Sequence, residues 1–417
     1  MKEYSEFITN LEDVVKGFSS QPFAEWRATA SKFVNGLASE QLRNLVPLDT
    51  RRTSGAFFTS DEMALDVLES YKQTFGKKKA IFYDPACGAG NLLIAVKEYY
   101  SQHLKCKGIT LEVRGTDIHR EFVEATRLRL SIYRLNKGLQ ENNTELEVKI
   151  ADGLKENPFY KEATHIITNP PFNQISPVDK KKWGSGKISA AALFIDHIVE
   201  QVNPGTQILA ILPDVLRSGS RYNHWREHIS SKSNISGIKL LGQFDKFADI
   251  DVFSVLITKL QDQQKKSGIS EWGTEKAGTS VISDHFNICV GPVVDNRDEK
   301  VGPVRPYFVS RGLVGWTEVS ESSYSRAHKG RHFTSPFVVI KRTSRRGDSN
   351  RAIGTIVNAS EPVFIDNHLI ILQPKSGKIN DCKRLLRILK SEKTDSWIDE
   401  KIRCRHLTVK VISNIPL

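Results

Sequence analysis

FYDPACGAGNLL, residues 82–93, sets the fold class in twelve residues. A short apolar run ends on an acid, Asp84. A turn carrying Gly88 and Gly90 follows, and then apolar residues resume at helical spacing. That order reads strand, turn, helix. The glycines allow a positive φ or a close approach of backbone to a ligand. No Gly-Lys-Ser/Thr follows, so the turn is not a phosphate loop, and it lacks the complete G-x-G-x-x-G of dinucleotide sites. Asp84 at the strand tip suits a ligand with a cationic ammonium group instead.

Working outward, strand-like runs recur at 80–84, 111–117, 146–152, 165–169, 207–213, 235–241 and 252–260. Helical runs lie between the first five, at 90–102, 120–136 and 190–202. Such alternation predicts an α/β domain over residues 51–262, with a mostly parallel sheet. Ligands of these sheets sit at the carboxyl ends of the strands. Two further acids fall there. Asp117 in RGTDIH could accept hydrogen bonds from a ribose diol, and Asp152 in KIADGL from an adenine amine.

Residues 1–50 carry apolar positions at three and four spacing in EFITNLEDVVKGF, PFAEWRATASKFVNGL and SEQLRNLV, which predicts a helical cap. Residues 263–284 are polar and read as a linker. Beyond them, short β-like runs and one helical stretch, CKRLLRILKSEKTDSWIDEKI, predict a β-rich domain over 285–417.

The 417 residues hold 60 Lys and Arg against 48 Asp and Glu, a formal charge of +12. The excess is concentrated: from Asp284 to Leu417 there are 23 basic against 14 acidic residues, a net +9. A localised basic excess points to an anionic partner, nucleic acid first. The five cysteines include no C-x-x-C pair, so no zinc or other metal site is expected. The first residues lack an apolar signal core, and no apolar run approaches the roughly 20 residues of a membrane span. A cytoplasmic protein without a membrane partner is expected.

The order GAFFTS (55–60), DPACGAGNLL, GTDIH, ADG and NPPF (169–172) resembles the S-adenosylmethionine-dependent DNA methyltransferases that modify the exocyclic amine of adenine. In their gamma arrangement the cofactor motifs precede the catalytic motif, and a target-recognition domain follows. The resemblance implies a Rossmann-like methyltransferase sheet with S-adenosyl-L-methionine as cofactor. By it, Gly55, Phe58 and Thr59 would line the methionine end. Asp84, Ala86, Gly88 and Gly90 would form the cofactor turn, Asp117 would hold the ribose and Asp152 the adenine. It further implies double-stranded DNA as partner, in the modification half of a restriction or defence system with a separate endonuclease.

The stretch THIITNPPFNQ (164–174) then acquires a chemistry. An adenine amine is a poor nucleophile because its lone pair is delocalised into the ring. Two acceptors on its two N–H bonds, the Asn169 side-chain oxygen and the Pro170 carbonyl, would draw the nitrogen toward tetrahedral geometry. Pro170 and Pro171 stiffen the turn and donate no backbone hydrogen bond. Phe172 offers a face on which a base flipped from the duplex can stack. In the family, an aromatic before a late strand supplies the opposite face, and Phe247 fits that spacing. Phe253 is expected in the core.

The cluster KRTSRRGDSNR places Lys341, Arg342, Arg345, Arg346 and Arg351 within eleven residues, which predicts a DNA-facing loop. Asp395 and Asp399-Glu400-Lys401, with Asp381 upstream, have the composition of a nuclease site but read as the charged surface of a helix. Methylation of RNA or of a protein amide, and an idle DNA-binding subunit, are the competing readings.

Overall fold

The computed structural model describes residues 2–34, 45, 59–70, 79–104, 108, 110–138, 146–176, 183–244, 250–261, 272, 280–344, 348–403 and 405–417. The chain divides into two compact units. The first comprises Met1–Leu216 with Arg221–Trp272, and the second Arg217–Ser220 with Gly273–Leu417.

A seven-stranded sheet organises the first unit. Its strands are β1 (Lys79–Asp84), β2 (Thr110–Asp117), β3 (Leu146–Ile150), β4 (His165–Thr168), β7 (Gln207–Pro213), β8 (Ser233–Gln243) and β9 (Asp251–Lys259). A two-residue ladder, β5 (Gln174–Ile175) with β6 (Ile188–Ser189), branches off after β4. The order across the sheet is β3-β2-β1-β4-β7-β9-β8. The first four pairings run parallel, and the last two, β7 with β9 and β9 with β8, are antiparallel. Burial explains the near-continuous apolar runs: every residue of β4 is buried, as are all but the first of β1. Strands covered on both faces need no polar alternation.

The sheet order reverses between β1 and β4, so the loops after these strands diverge and open a crevice at their carboxyl ends. Helices α1 (Lys2–Gly17), α2 (Phe23–Val34), α3 (Asp61–Ser70), α4 (Asn91–Tyr99), α5 (Arg120–Asn136) and α6 (Ala190–Gln201) belong to this unit. The N-terminal pair packs on α5: Tyr4, Phe7, Leu11 and Trp26 share a core with Phe122, Ala125 and Ile132. The Trp26 indole donates to the Val14 carbonyl at 2.7 Å and ties α2 to α1. Of the third expected helical stretch, 39–46, only Leu45 is described.

Residues 263–271 and 273–279 of the expected linker, with 262 before it, lie outside the described residues. Trp272 between them is buried against Trp225 and Phe253, and its indole donates to Ser230 Oγ at 3.0 Å. A polar composition around one tryptophan thus hid an anchor to the first unit's core.

In the second unit, a five-stranded sheet is ordered β10 (Phe286–Val290), β17 (Leu369–Pro374), β14 (Phe337–Lys341), β15 (Gly354–Val357), β12 (Glu318–Val319). A three-stranded sheet joins β13 (Ser325–Ala327), β11 (Val304–Phe308) and β16 (Phe364–Ile365). Helices α8 (Ile379–Leu389) and α9 (Glu392–Lys401), which follow α7 (Asn223–Lys232) of the first unit, close a core around Ile340, Ile356, Leu385 and Ile398. The single helical stretch expected here is broken at Ser391, which caps α9 by accepting from the Thr394 N–H.

Candidate active site

Loops at the carboxyl ends of four strands meet at one cavity. β1 contributes Pro85, Ala86 and Gly88, and β2 contributes Asp117, Ile118 and His119. β3 is followed by Asp152, Gly153 and Leu154, and β4 by Asn169 and Pro171. Ala190 and Phe194 of α6 form a side wall. Six residues singled out from the sequence (Ala86, Gly88, Asp117, Asp152, Asn169 and Pro171) therefore share one space.

The turn after β1 is held from several directions. The Gly88 N–H donates to Asp117 Oδ2 at 3.0 Å, and the Gly88 carbonyl accepts from Thr126 Oγ1 at 2.7 Å. Asp117 Oδ1 accepts from the His119 N–H at 2.9 Å and lies 3.0 Å from its ring Nδ1. That hydrogen bond raises the His119 pKa above its ordinary value. Asp152 Oδ1 accepts from the Leu154 N–H at 2.9 Å, which keeps the carboxylate at the loop's start.

Two residues expected in this turn stand outside the cavity lining. Gly90 is not among the cavity-lining residues. It stands at the N-terminus of α4 with φ +82°, and a Cβ there would lie 2.8 Å from Thr126 Cγ2. Its left-handed backbone and the close approach of Thr126 both require glycine. Asp84 does not line the cavity either. It is 1% exposed and accepts from the Ala86 N–H at 3.1 Å, so it builds the turn from beneath. Burial raises its pKa to about 7 from 3.8. The folded state then binds the proton more tightly than the unfolded chain, and stability is lost as pH rises from about 4 to about 7. Thermal melts between pH 5 and pH 8 are expected to show this slope in the native chain and a flatter profile in Asp84→Asn.

Beyond β4, the described geometry gives the Asn-Pro-Pro-Phe tip two supports. Asn169 Nδ2 donates to Thr59 Oγ1 at 3.0 Å, which orients the amide. The Ala190 N–H donates to the Asn173 carbonyl at 2.9 Å, and the β5–β6 ladder pins the chain just past it. Pro170 and Phe172 are buried and do not line the cavity. Phe172 meets Phe244 edge-on, with ring centroids 5.6 Å apart and planes at 86°. Phe253 lies in the core, as expected. Gly55, Phe58 and Phe247 lie outside the described residues. Thr59 is described and does not line the cavity; it braces Asn169 instead.

Sequence reasoning missed Ile118, His119, Gly153 and Phe194. Ile118 is 61% exposed although apolar, which gives the cavity a greasy lip beside Asp117. Its signal was its place next to the acid in GTDIH. Gly153 follows the acid in ADG: a Cβ on it would lie 2.2 Å from the Pro85 carbonyl oxygen, so only glycine lets the two loops touch.

In the second unit, Lys341 and Arg342 are half-buried at the end of β14, and Arg345 and Arg346 lie outside the described residues. Arg351 does not face outward and is a correction to the expected DNA-facing cluster. It is 1% exposed, donates to Asp399 Oδ1 and to the Ile402 carbonyl, both at 2.7 Å, and to Ser344 Oγ at 3.3 Å. Asp395 accepts from the backbone N–H groups of Asn350 and Arg351, each at 2.8 Å. Asp395 and Asp399 are thus internal staples rather than idle surface charge. Removing one partner of such a pair is costly. Arg351→Met is expected to destabilise the second unit by about 3 kcal/mol in urea titrations.

A profile described as N-6 DNA Methylase matches residues 38–270 of the chain. The chain belongs to the N-6 DNA Methylase family. The family segment spans all four loops of the cavity and ends just before Trp272 is passed. One relative is the Type II methyltransferase M.BsuBI of Bacillus subtilis, 30% identical over 105 residues, which are 24% of this chain and 21% of that protein. The chain thus spans about a fifth of the length of this curated relative. Among solved structures, the type IIG restriction endonuclease BpuSI is 14% identical, with 90% of this chain and 61% of that chain covered at a TM-score of 0.46. A type I restriction-modification system methyltransferase subunit from Streptococcus thermophilus is 17% identical, with 54% and 49% covered at a TM-score of 0.39.

Proposed function

We propose that this N-6 DNA Methylase family member transfers a methyl group from S-adenosyl-L-methionine to the exocyclic amine of adenine in duplex DNA. The single observation that carries this reading is the meeting of Asp117, Asp152 and Asn169 around one cavity. Two acids at neighbouring strand ends suit a nucleoside, one for the diol and one for the amine. Ile118 and Phe194 supply apolar faces for a flat ring. The donor set therefore fits the cofactor, which supplies an electrophilic methyl group on sulfur when bound.

The chain's own part is acceptance and orientation. Asn169 accepts one N–H of the amine through its side-chain oxygen, and the Pro170 carbonyl accepts the other. Both draw charge toward acceptors already in place, which is electrostatic preorganisation, and the proton that the methylated nitrogen sheds passes to solvent. The reacting nitrogen is paired in a duplex, so the base is flipped out, at a cost of a few kcal/mol. Stacking on Phe172 recovers part of that cost once the edge-on Phe244 ring gives way. The basic second unit, net +9 from Asp284 onward, holds the phosphate backbone and selects the site. In this reading the protein is the modification half of a restriction or defence pair, with cleavage left to a separate endonuclease.

The test offers methyl-labelled cofactor to duplex DNA, single-stranded RNA and protein in parallel. Label is expected in duplex DNA. Label found chiefly in RNA or in protein amides would transfer the reading to one of those substrates.

A further inference from the structure

A charged side chain lies in the core of the first unit and is not used by the chemistry above. Arg129 of α5 is 0% exposed. Asp61 of α3 acts on it electrostatically, and its hydrogen-bond acceptors among the described residues are neutral groups from two stretches of chain. Nε donates to the Phe33 carbonyl at the end of α2 (2.8 Å), and Nη1 donates to the Ala89 carbonyl in the turn after β1 and to Asn91 Oδ1 at the start of α4. The other end of the Asn91 amide continues the chain of bonds. Asn91 Nδ2 donates to the Thr59 carbonyl at 2.7 Å, and Thr59 Oγ1 accepts from Asn169 Nδ2.

The two amides thus hold Thr59 by its two oxygens, one from α4 and one from the tip after β4. Burying a charge adds little stability over an apolar residue of similar volume, even with an acid near it. What it adds here is geometry. The planar guanidinium fork fixes the Asn91 amide, whose nitrogen fixes Thr59, whose hydroxyl fixes the amide of Asn169. A catalytic acceptor works only if it is already aimed where the amine arrives.

We infer that Arg129 and Asn91 are positioning residues that set the orientation of the Asn169 amide through Thr59, and that the N-terminal helices contribute to it through the Phe33 carbonyl. The inference rests on the proposed role of Asn169. Asn91→Asp keeps an acceptor for Arg129 but sets a carboxylate oxygen against the Thr59 carbonyl. Thr59→Val removes the hydroxyl at nearly constant volume.

The test uses the full chain labelled with ¹⁵N-asparagine. The Asn169 side-chain amide signal is assigned by its loss in Asn169→Asp. In Asn91→Asp, Thr59→Val and Arg129→Met that signal is expected to shift. Single-turnover methyl transfer to duplex DNA should fall about tenfold or more in Asn91→Asp, with cofactor affinity nearly unchanged. The Asn91→Asp/Thr59→Val double variant should be no slower than the slower single, because both cut one path. A lowered melting temperature with the Asn169 signal and the rate per folded molecule unchanged in Asn91→Asp would overturn the inference. If Arg129→Met does not fold, the Asn91 and Thr59 variants decide alone. If the native chain transfers no methyl group to adenine, the functional reading fails while the amide signal still decides the network.

Discussion

Asn169→Ala is expected to lose methyl transfer by about 100- to 1,000-fold while still binding S-adenosyl-L-methionine. The alanine removes one of two acceptors on the amine and nothing that the cofactor cavity needs to stand. Asn169 lines that cavity past the end of β4, and the turn after β1 is secured elsewhere, by Gly88 to Asp117 and Thr126. Single-turnover rates and calorimetric cofactor titration separate the two effects. A variant that keeps the native rate would remove the acceptor mechanism. One that loses cofactor binding as well would make Asn169 a structural residue.

Gly153→Ala is expected to fail differently. Its Cβ would meet the Pro85 carbonyl oxygen at 2.2 Å and Phe194 Cε1 at 2.8 Å. Backbone cannot yield as a side-chain end does, so the loops after β1 and β3 must separate. Overpacking of this kind costs about 1–3 kcal/mol and sometimes more. Because Pro85 and Gly153 both line the cavity, cofactor affinity is expected to fall at least tenfold together with the melting temperature. Asp152→Asn, at the neighbouring position, changes charge without volume and should weaken the cofactor while sparing the melt. If Gly153→Ala binds the cofactor normally, the cavity described here is not where it sits.

The parallel part of the sheet was legible because its strands are short, apolar and separated by amphipathic helices. Arg120–Asn136 is a helix over the very residues expected, since its apolar stripe continues to a polar end at Asn136. The acids at strand ends were legible for a related reason: topology alone places Asp117 and Asp152 at one edge. What the sequence hid were roles set by contacts far along the chain. Asp84 reads as an open strand tip and is buried, accepting from the turn that follows it. Gly90 answers Thr126, 36 positions away in number, and Arg351, in a turn, answers Asp399 in α9. An arginine among other basic residues reads as surface charge until its partner is seen. Trp272 was lost in a polar stretch because one buried side chain does not alter local composition.

The central claim is that the tip after β4 methylates the exocyclic amine of adenine in duplex DNA. Nucleoside mass spectrometry of duplex DNA incubated with the full chain and S-adenosyl-L-methionine tests it most directly, with Asn169→Ala as the control. N6-methyladenine accumulating with the native chain and nearly absent with the variant is the expected result. No methylated adenine, or methylation of cytosine in its place, would contradict the account.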